Sequence, residues 1–398
     1  AVWDRPEPGA DLPVAQTIVT LRVFADGMAH EDSIAEGVLR ELLAGDRTTW
    51  AARLQSRPEH RTAGMVRRLL AAADRAIDTM PPDALVLTAL AADVAEDLEP
   101  TRYPSDTVAK LRAAAWRDRA YALYYTGSFT EAEKAVFVAE SHLSDCVVGE
   151  WDRARVELLH ALTNRAMDRL PDSTRLARAA GNIFASMGDT LRAERSRSLE
   201  AAVSYKVGRY RDALAIWLEL SRVESPASAS ELPLIWQNIS ACYRELGDVD
   251  AALTFAQLAV DAFEMADTPT EALRVRWNIA KMLLGAGRVK DAAQKLDVLL
   301  SDFARLGMSS ESALVALDLA ELFMVEGRAG DVATLCRTAL KHFEAAGVAS
   351  SVRAMTALSY LREASITGQA SVQLVNHVRT YVKRLRQEPQ LLFAPPPN

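Results

Sequence analysis

The chain has 398 residues, of which 49% are hydrophobic and 25% are charged, so it has enough apolar material for a folded core. Its formal net charge is −7, which argues against nucleic acid as a direct partner, because phosphate binding needs clustered Lys and Arg. No apolar run is long enough for a membrane span. Three widely spaced cysteines do not suggest a disulfide framework. These features favour a cytoplasmic protein with neither nucleic acid nor a membrane as a partner.

The N-terminal part differs in pattern from the rest of the chain. Residues 1–13 are rich in Pro and Asp, which predicts a flexible lead-in. Residues 14–100 show helical periodicity without a clear repeat, which predicts an N-terminal helical region. Its helices are expected near residues 15–28, 31–44, 47–56, 60–79 and 83–97. Residues 99–104 read EPTRYP and predict a turn, after which a regular array is expected to begin.

Two alternating series of turns dominate residues 101–387. In the first, Gly208, Gly247, Gly287 and Gly327 are separated by 39, 40 and 40 residues, and each stands between two apolar helical stretches. The second series falls between these glycines, at Gly149, Gly188, the loop around Pro226, Thr268–Pro269, Gly307 and Gly347. A shared period in both series predicts a repeated two-helix unit. The expected fold is therefore all-α, a right-handed α-solenoid of antiparallel helix pairs.

The turns also predict the bounds of the helices. First helices are expected near 106–126, 150–168, 190–206, 231–246, 270–285 and 311–326. Second helices are expected near 129–145, 172–187, 210–223, 249–265, 289–305 and 330–346. Two further helices at 351–366 and 371–387 close the array, and the last has the single apolar stripe of a capping helix. The tail, residues 388–398, is rich in Pro and is predicted to be disordered.

One helix pair carries a family resemblance. Trp236 and Tyr243 share a helix face, Gly247 ends that helix, and Ala252 and Ala259 give the next helix small residues for close packing. This order resembles the tetratricopeptide repeat, with a period of about 40 residues in place of the usual 34. Long repeats of this kind resemble those of bacterial regulatory and scaffold proteins. The resemblance implies a concave groove, lined by the first helices, that binds a protein or peptide partner.

The resemblance also implies which residues line that groove, because groove positions lie one turn apart on each first helix. Carried onto this sequence, they include Arg117, Tyr121, Tyr124, Arg195, Ser198, Tyr205, Gln237, Asn238, Arg244, Arg274, Asn278, Lys281, Asp318 and Glu321. Asn238 and Asn278 are equivalent positions 40 residues apart. In this family such an Asn often holds a peptide backbone, although a bond to the neighbouring helix would explain it equally well. The basic residues followed by Asp318 and Glu321 predict a bound segment with an acidic part and then a basic part.

Chemical motifs are not evident. Residues 285–290 read GAGRVK, which lacks the phosphate-binding loop pattern, and the six His residues are scattered without HExxH or a Cys pair. Cys146 and Cys242 lie on apolar helix faces, which is typical of core thiols. We therefore expect no catalytic activity, no cofactor and no metal site.

Two functions remain open at the level of sequence. The preferred one is a non-enzymatic scaffold or regulatory subunit that binds a partner segment in the groove. The alternative is a bacterial regulator whose long repeats close around a small molecule or a peptide. A helix-turn-helix within residues 15–57 would favour the alternative, but no basic recognition helix is evident there. Homo-oligomerisation is left open.

Overall fold

The computed structural model describes residues 14–77, 80–99, 101–144, 146–222, 231–346, 352–385, 388 and 391–396. All regular secondary structure within these residues is helical, which confirms the predicted all-α fold. None of the described helices is both long and apolar enough to cross a membrane. The chain divides into two compact units, residues 1–203 and residues 204–398. The predicted lead-in, residues 1–13, lies outside the described residues.

The first unit begins with four helices of unequal length and continues with helix pairs. Its helices are α1 (Val14–Leu43), α2 (Trp50–Gln55), α3 (Ala63–Ala76), α4 (Pro81–Glu96), α5 (Ser105–Tyr125), α6 (Phe129–Leu143), α7 (Glu150–Ala166), α8 (Leu170–Ser186) and α9 (Thr190–Lys206). Helix α9 contains the division between the two units. Within the first unit α5 packs against α6 and α7 packs against α8, as predicted for antiparallel pairs.

Helix α1 is continuous where the sequence predicts two helices, and that prediction is wrong. The sequence predicts a break between residues 28 and 31, but contacts with α3 keep these residues helical. The Arg67 side chain donates from Nη2 to the Met28 carbonyl at 3.1 Å and from Nε to the Asp32 carboxylate at 2.9 Å. Packing of this kind overrides weak local helix propensity. The continuous helix leaves no place for the turn of a helix-turn-helix at this point.

The N-terminal helices share one core with α5. Helix α3 packs against α4, α4 packs against α5, and their buried side chains form one cluster that extends from Ala35 to Ala122. Tyr103, in the turn before α5, is only 4% exposed. Its hydroxyl donates to the Glu31 carboxylate at 2.9 Å and accepts from the Ala63 N–H at 3.2 Å. The turn near residue 100 therefore separates two sequence patterns without separating two cores.

The second unit consists of helix pairs whose bounds follow the prediction closely. Its helices are α10 (Tyr210–Leu220), α11 (Leu232–Leu246), α12 (Val249–Met265), α13 (Pro269–Gly285), α14 (Val289–Arg305), α15 (Ser309–Val325), α16 (Ala329–Ala346), α17 (Val352–Ile366) and α18 (Val372–Arg384). From α12 to α16, each second helix packs against its own first helix and against the next one, as α12 does with α11 and α13. Apolar side chains are thereby buried along this series of helices.

The turn glycines adopt the left-handed conformation that the prediction requires. Gly208, Gly247, Gly287 and Gly327 have φ angles of 81°, 84°, 74° and 72°. This conformation lets a helix end at a residue that has no Cβ to be strained. Among the second series of turns, Gly188 and Gly307 are also left-handed. Gly149 instead precedes α7 with a φ of −137°. Gly347 and the loop around Pro226 lie outside the described residues.

The C-terminal end departs from the prediction in one respect. The expected disordered tail is packed at its described residues: Leu391 and Phe393 lie against the core of the second unit. The Tyr381 hydroxyl donates to the Leu391 carbonyl at 3.1 Å, and the Phe393 ring lies 5.0 Å from the Tyr381 ring. Composition indicates the end of α18 but not where the following residues go.

Candidate functional site

In the first unit, two of the predicted groove residues line a cavity of about 370 Å³. Arg117 is buried, at 9% exposure, and its Nη2 lies 2.5 Å from Oδ1 of Asp118. Tyr121 is 41% exposed and forms part of the same cavity wall. Arg155 and Arg192 complete the charged part of that wall. The structure therefore brings Arg117 and Tyr121 together, with partners from later helices.

Tyr124, the third groove residue predicted in this unit, has a different position. Its ring packs against Phe129 with centroids 5.7 Å apart, and its hydroxyl accepts a hydrogen bond from Arg165 Nη2 at 3.2 Å. These contacts link α5 to the start of α6 and to α7. Tyr124 is not among the residues that line the cavity. Its contacts indicate that it stabilises the helix pair.

The cavity contains an aromatic and arginine stack that sequence reasoning did not find. The guanidinium carbons of Arg155 and Arg192 lie 4.6 and 4.9 Å from the ring centroid of Trp151. Asp189 holds the stack in place, because it accepts from Trp151 Nε1 at 2.9 Å and from Arg192 Nη1 at 2.8 Å. A recurring signal was present: Arg117, Arg155 and Arg192 lie on successive first helices, 38 and 37 residues apart.

In the second unit, the two repeated Asn residues have unused hydrogen-bonding groups. Asn238 on α11 and Asn278 on α13 are half-buried. Neither side chain hydrogen-bonds to any residue that the structure describes. The explanation that they bond a neighbouring helix therefore loses support. Gln237, beside Asn238, is also half-buried and also makes no side-chain hydrogen bond within the described part of the protein.

Arg244 lies at the C-terminal end of α11, and its side chain is already engaged. Its Nη2 donates to the Tyr205 hydroxyl at 3.0 Å and to the Glu245 carboxylate at 2.6 Å. These bonds join α11 to the end of α9. Because the side chain remains 43% exposed, it can also face a ligand.

Arg274 and Lys281 lie on α13 on either side of Asn278. Arg274 is 50% exposed and lies 3.5 Å from carboxylate oxygens of both Glu271 and Glu311. The Lys281 ammonium lies 3.6 Å from the centroid of the Trp277 ring. Although Lys281 is an exposed residue, the ring displaces water from its ammonium, and this desolvation lowers its pKa. The positive charges of Lys383 and Arg379 lower the pKa further.

Asp318 and Glu321 lie on α15 and are held by a residue of α18. Arg379 Nη2 lies 3.4 Å from Oδ1 of Asp318 and 2.6 Å from Oε2 of Glu321, and it also donates to the Leu317 carbonyl at 3.0 Å. Asp318 accepts a further bond from Trp277 Nε1 at 2.7 Å. Arg379 therefore offsets one of the two negative charges of the predicted acidic stretch. The selection of a basic part of a ligand by this stretch stays a prediction.

Asp318 and Glu321 also line an open cavity of about 660 Å³ beside the turn at Gly287. Leu284, Leu322 and Val325 form its apolar part. The free edges of the two carboxylates thus face a partly apolar surface. Within the described residues, no group of three His, Cys, Asp or Glu side chains is placed to hold a metal ion.

Comparison with known proteins supports the fold. No family model matches the sequence, and no curated protein matches it. The apo form of the quorum sensor NprR from B. thuringiensis is 12% identical, with a TM-score of 0.54, over 87% of this chain and 99% of that chain. A signal transduction ATPase with a tetratricopeptide repeat sensor, from Pyrococcus horikoshii, is 12% identical, with a TM-score of 0.52, over 85% of this chain and 53% of that chain. The protein therefore has a tetratricopeptide-like helical-repeat fold.

Proposed function

We propose that the protein is a non-enzymatic scaffold or regulatory subunit whose second unit binds an extended segment of a protein or peptide. The observation that carries this proposal is the pair of half-buried amides, Asn238 and Asn278, without hydrogen-bond partners in the described residues. An amide side chain offers both a donor and an acceptor, so it can bond the N–H and C=O groups of an added backbone. Lys281 lies one turn away from Asn278, makes no ion pair with a described residue and would attract an acidic part of the segment. Arg274, by contrast, already lies beside Glu271 and Glu311.

A binding role without catalysis is consistent with the state of the thiols. Cys146, Cys242 and Cys336 are all buried. Burial raises the pKa of Cys242 and of Cys336 to about 12, whereas a nucleophilic cysteine needs a lowered pKa. Buried free thiols also fit the reducing cytoplasm, where we place the protein.

The test of segment binding compares the two half-buried amides of the first helices with an exposed amide of a second helix. Peptides that bind the full-length protein are selected from a random display library, and their affinity is measured by calorimetry. We expect Asn238→Ala/Asn278→Ala to weaken binding roughly thirtyfold, because two hydrogen bonds of about 1 kcal/mol each are lost. Gln294→Ala, at an exposed position of the second helix α14, is the matched control and should bind like the wild type. Unchanged affinity in the double variant would place the segment elsewhere.

The alternative function, a regulator that senses a peptide or small molecule, has its own support. Arg379 joins α18 to the face of α15 that carries Asp318 and Glu321, so a ligand on that face would act on α18 directly. Both solved structures compared above are described as sensors or as carrying one. Hydrogen exchange of α18, with and without a selected peptide, separates the two roles. A change in exchange favours sensing, and unchanged exchange favours a static scaffold.

A further inference from the structure

The cavity in the first unit has a charged wall and an apolar wall. The wall from α3, α4 and the segment between them is mostly apolar, with Asp74 and Thr88 as its polar residues, and the three arginines come from α5, α7 and α9. Leu70, Ile77 and Ala84 are among the apolar lining residues. A volume of about 370 Å³ lies at the lower end of the range of ligand pockets, about 300–1,000 Å³. The cavity therefore suits a small molecule or one end of a polypeptide.

One of its three arginines has no hydrogen-bond or ion-pair partner among the described residues. Arg117 is paired with Asp118, and Arg192 is paired with Asp189. Arg155 makes no hydrogen bond and no ion pair with any residue that the structure describes. Its guanidinium carbon instead lies over the Trp151 ring, 4.6 Å from the ring centroid. A cation–π contact of this kind uses none of the N–H donors, which leaves them available for another group.

The surroundings of Arg155 favour an added negative charge. Burial, followed by the charge of Arg117, lowers the pKa of Arg155 to about 10, so the side chain stays positive at neutral pH. The carboxylates of Asp118 and Asp152 attract it without forming an ion pair. Asp118 offsets the charge of Arg117 and Asp189 offsets that of Arg192, so Arg155 is the lining arginine without an ion-pair partner among the described residues. None of its nitrogens is fully buried, so its N–H groups are open to a ligand.

We propose that this cavity binds a carboxylate ligand with an apolar body. The carboxylate accepts hydrogen bonds from Arg155, in the planar two-bond geometry that arginine offers to carboxylates, and the apolar body lies against Leu70 and Ile77. A carboxylate matches the single positive charge of Arg155. A phosphate monoester, with a charge of about −1.5 to −2 at neutral pH, would exceed it and would also face Asp74 and Asp118. This site is separate from the segment binding proposed for the second unit.

The first experiment uses acetate as the smallest carboxylate and the full-length protein. Melting temperature is measured in sodium acetate and in sodium chloride at equal ionic strength and pH, for the wild type, Arg155→Met and Arg175→Met. Arg175 is an exposed arginine of α8, with a side chain 68% exposed, and serves as the matched loss of charge. We expect acetate to raise the melting temperature of the wild type and Arg175→Met but not of Arg155→Met. Without acetate, Arg155→Met should melt at or above the wild-type temperature.

The second experiment identifies the source of the carboxylate. Calorimetry compares 4-phenylbutyrate with a short peptide that ends in Phe, as the free acid and as the amide. Binding of 4-phenylbutyrate indicates a small acid, and binding of only the free-acid peptide indicates the C-terminus of a polypeptide. In either case Arg155→Met should weaken binding roughly ten- to a hundredfold.

Three results would overturn the proposal. One is an equal acetate effect in the wild type and Arg155→Met. Another is stabilisation by inorganic phosphate but not by acetate. The third is a melting temperature of Arg155→Met well below that of the wild type, which would show that Arg155 already has a structural partner.

Discussion

At the scale of the residue, the turns depend on backbone conformation more than on side-chain contacts. Gly247 has a φ of 84°, and a Cβ added there would meet nothing within 4 Å. Any cost of a side chain at this position therefore comes from the left-handed backbone, which costs an L-residue about 1–2 kcal/mol. Asp267, with a φ of 54°, occupies such a turn without Gly, because Asp tolerates this conformation better than most residues.

We expect Gly247→Val to lower the free energy of unfolding by about 1–2 kcal/mol. Gly330→Val is the control, since Gly330 lies in the first turn of α16 with an ordinary φ and open space around it. Val has a better helix propensity than Gly, so this variant should be as stable as the wild type or slightly more stable. Urea unfolding of both variants measures the difference. Equal losses would mean that φ at residue 247 does not set the cost.

Single residues also mark how far sequence could predict the candidate sites. Asn238 and Asn278 were identifiable because they are 40 residues apart, in step with the turns. Arg155 was not identifiable in this way. Its spacing from Arg117 is 38 residues, out of step with the turns, and the sequence is rich in arginine. The property that singles it out is the absence of an ion pair among the described residues. That property depends on distances between helices, which periodicity does not provide.

At the scale of the element, a helix is predicted well when both of its ends have a local signal. Helices α11 to α14 each end one or two residues before a left-handed residue, and their bounds agree with prediction to within one residue. In the middle of α1, no local signal for a helix end is strong enough to outweigh packing against α3. The predicted break is therefore absent. Helix α18 was predicted as a cap. Its second contact, with α15, was not predicted because it depends on the direction of Arg379.

The ion pairs of Arg379 hold α18 against α15, and their contribution to the free energy of unfolding can be measured. We expect Arg379→Met to lower the free energy of unfolding by about 2 kcal/mol, because it removes charged hydrogen bonds and leaves the carboxylate of Asp318 without its cation. Asp318 is 15% exposed, so solvent compensates little. Arg384→Met is the control, since its pair with Glu388 is half exposed and should contribute less than about 0.5 kcal/mol. Similar small losses in both variants would show that α18 is held by apolar contacts alone.

At the scale of the whole molecule, the burial of all three cysteines predicts how the protein responds to alkali and to thiol reagents. Burial raises the pKa of Cys242 and Cys336 from the ordinary 9.0 to about 12, and it also raises the pKa of Cys146. Between about pH 9 and 12 the unfolded protein loses thiol protons that the folded protein keeps. The contribution to stability is therefore complete below pH 9 and declines as pH rises above it.

The same burial predicts slow thiol chemistry in the native state. At pH 8, Ellman's reagent should modify the native protein far more slowly than the protein in 6 M guanidinium chloride, because only the thiolate reacts. The unfolded protein should release three equivalents, one for each cysteine. A native protein that reacts within seconds would mean that at least one thiol is accessible in solution.

The 40-residue spacing of Gly247, Gly287 and Gly327 has a consequence for gene duplication and loss. Gly247 and Gly287 are 40 residues apart and share one backbone conformation. Excision or duplication of the intervening stretch joins equivalent points, so a first helix is still followed by a second helix and every apolar face keeps its orientation. Excision removes one half-buried amide, that of Asn278, and duplication adds one. The length of the recognised segment would then evolve in whole steps of one helix pair, without passing through an unfolded intermediate sequence.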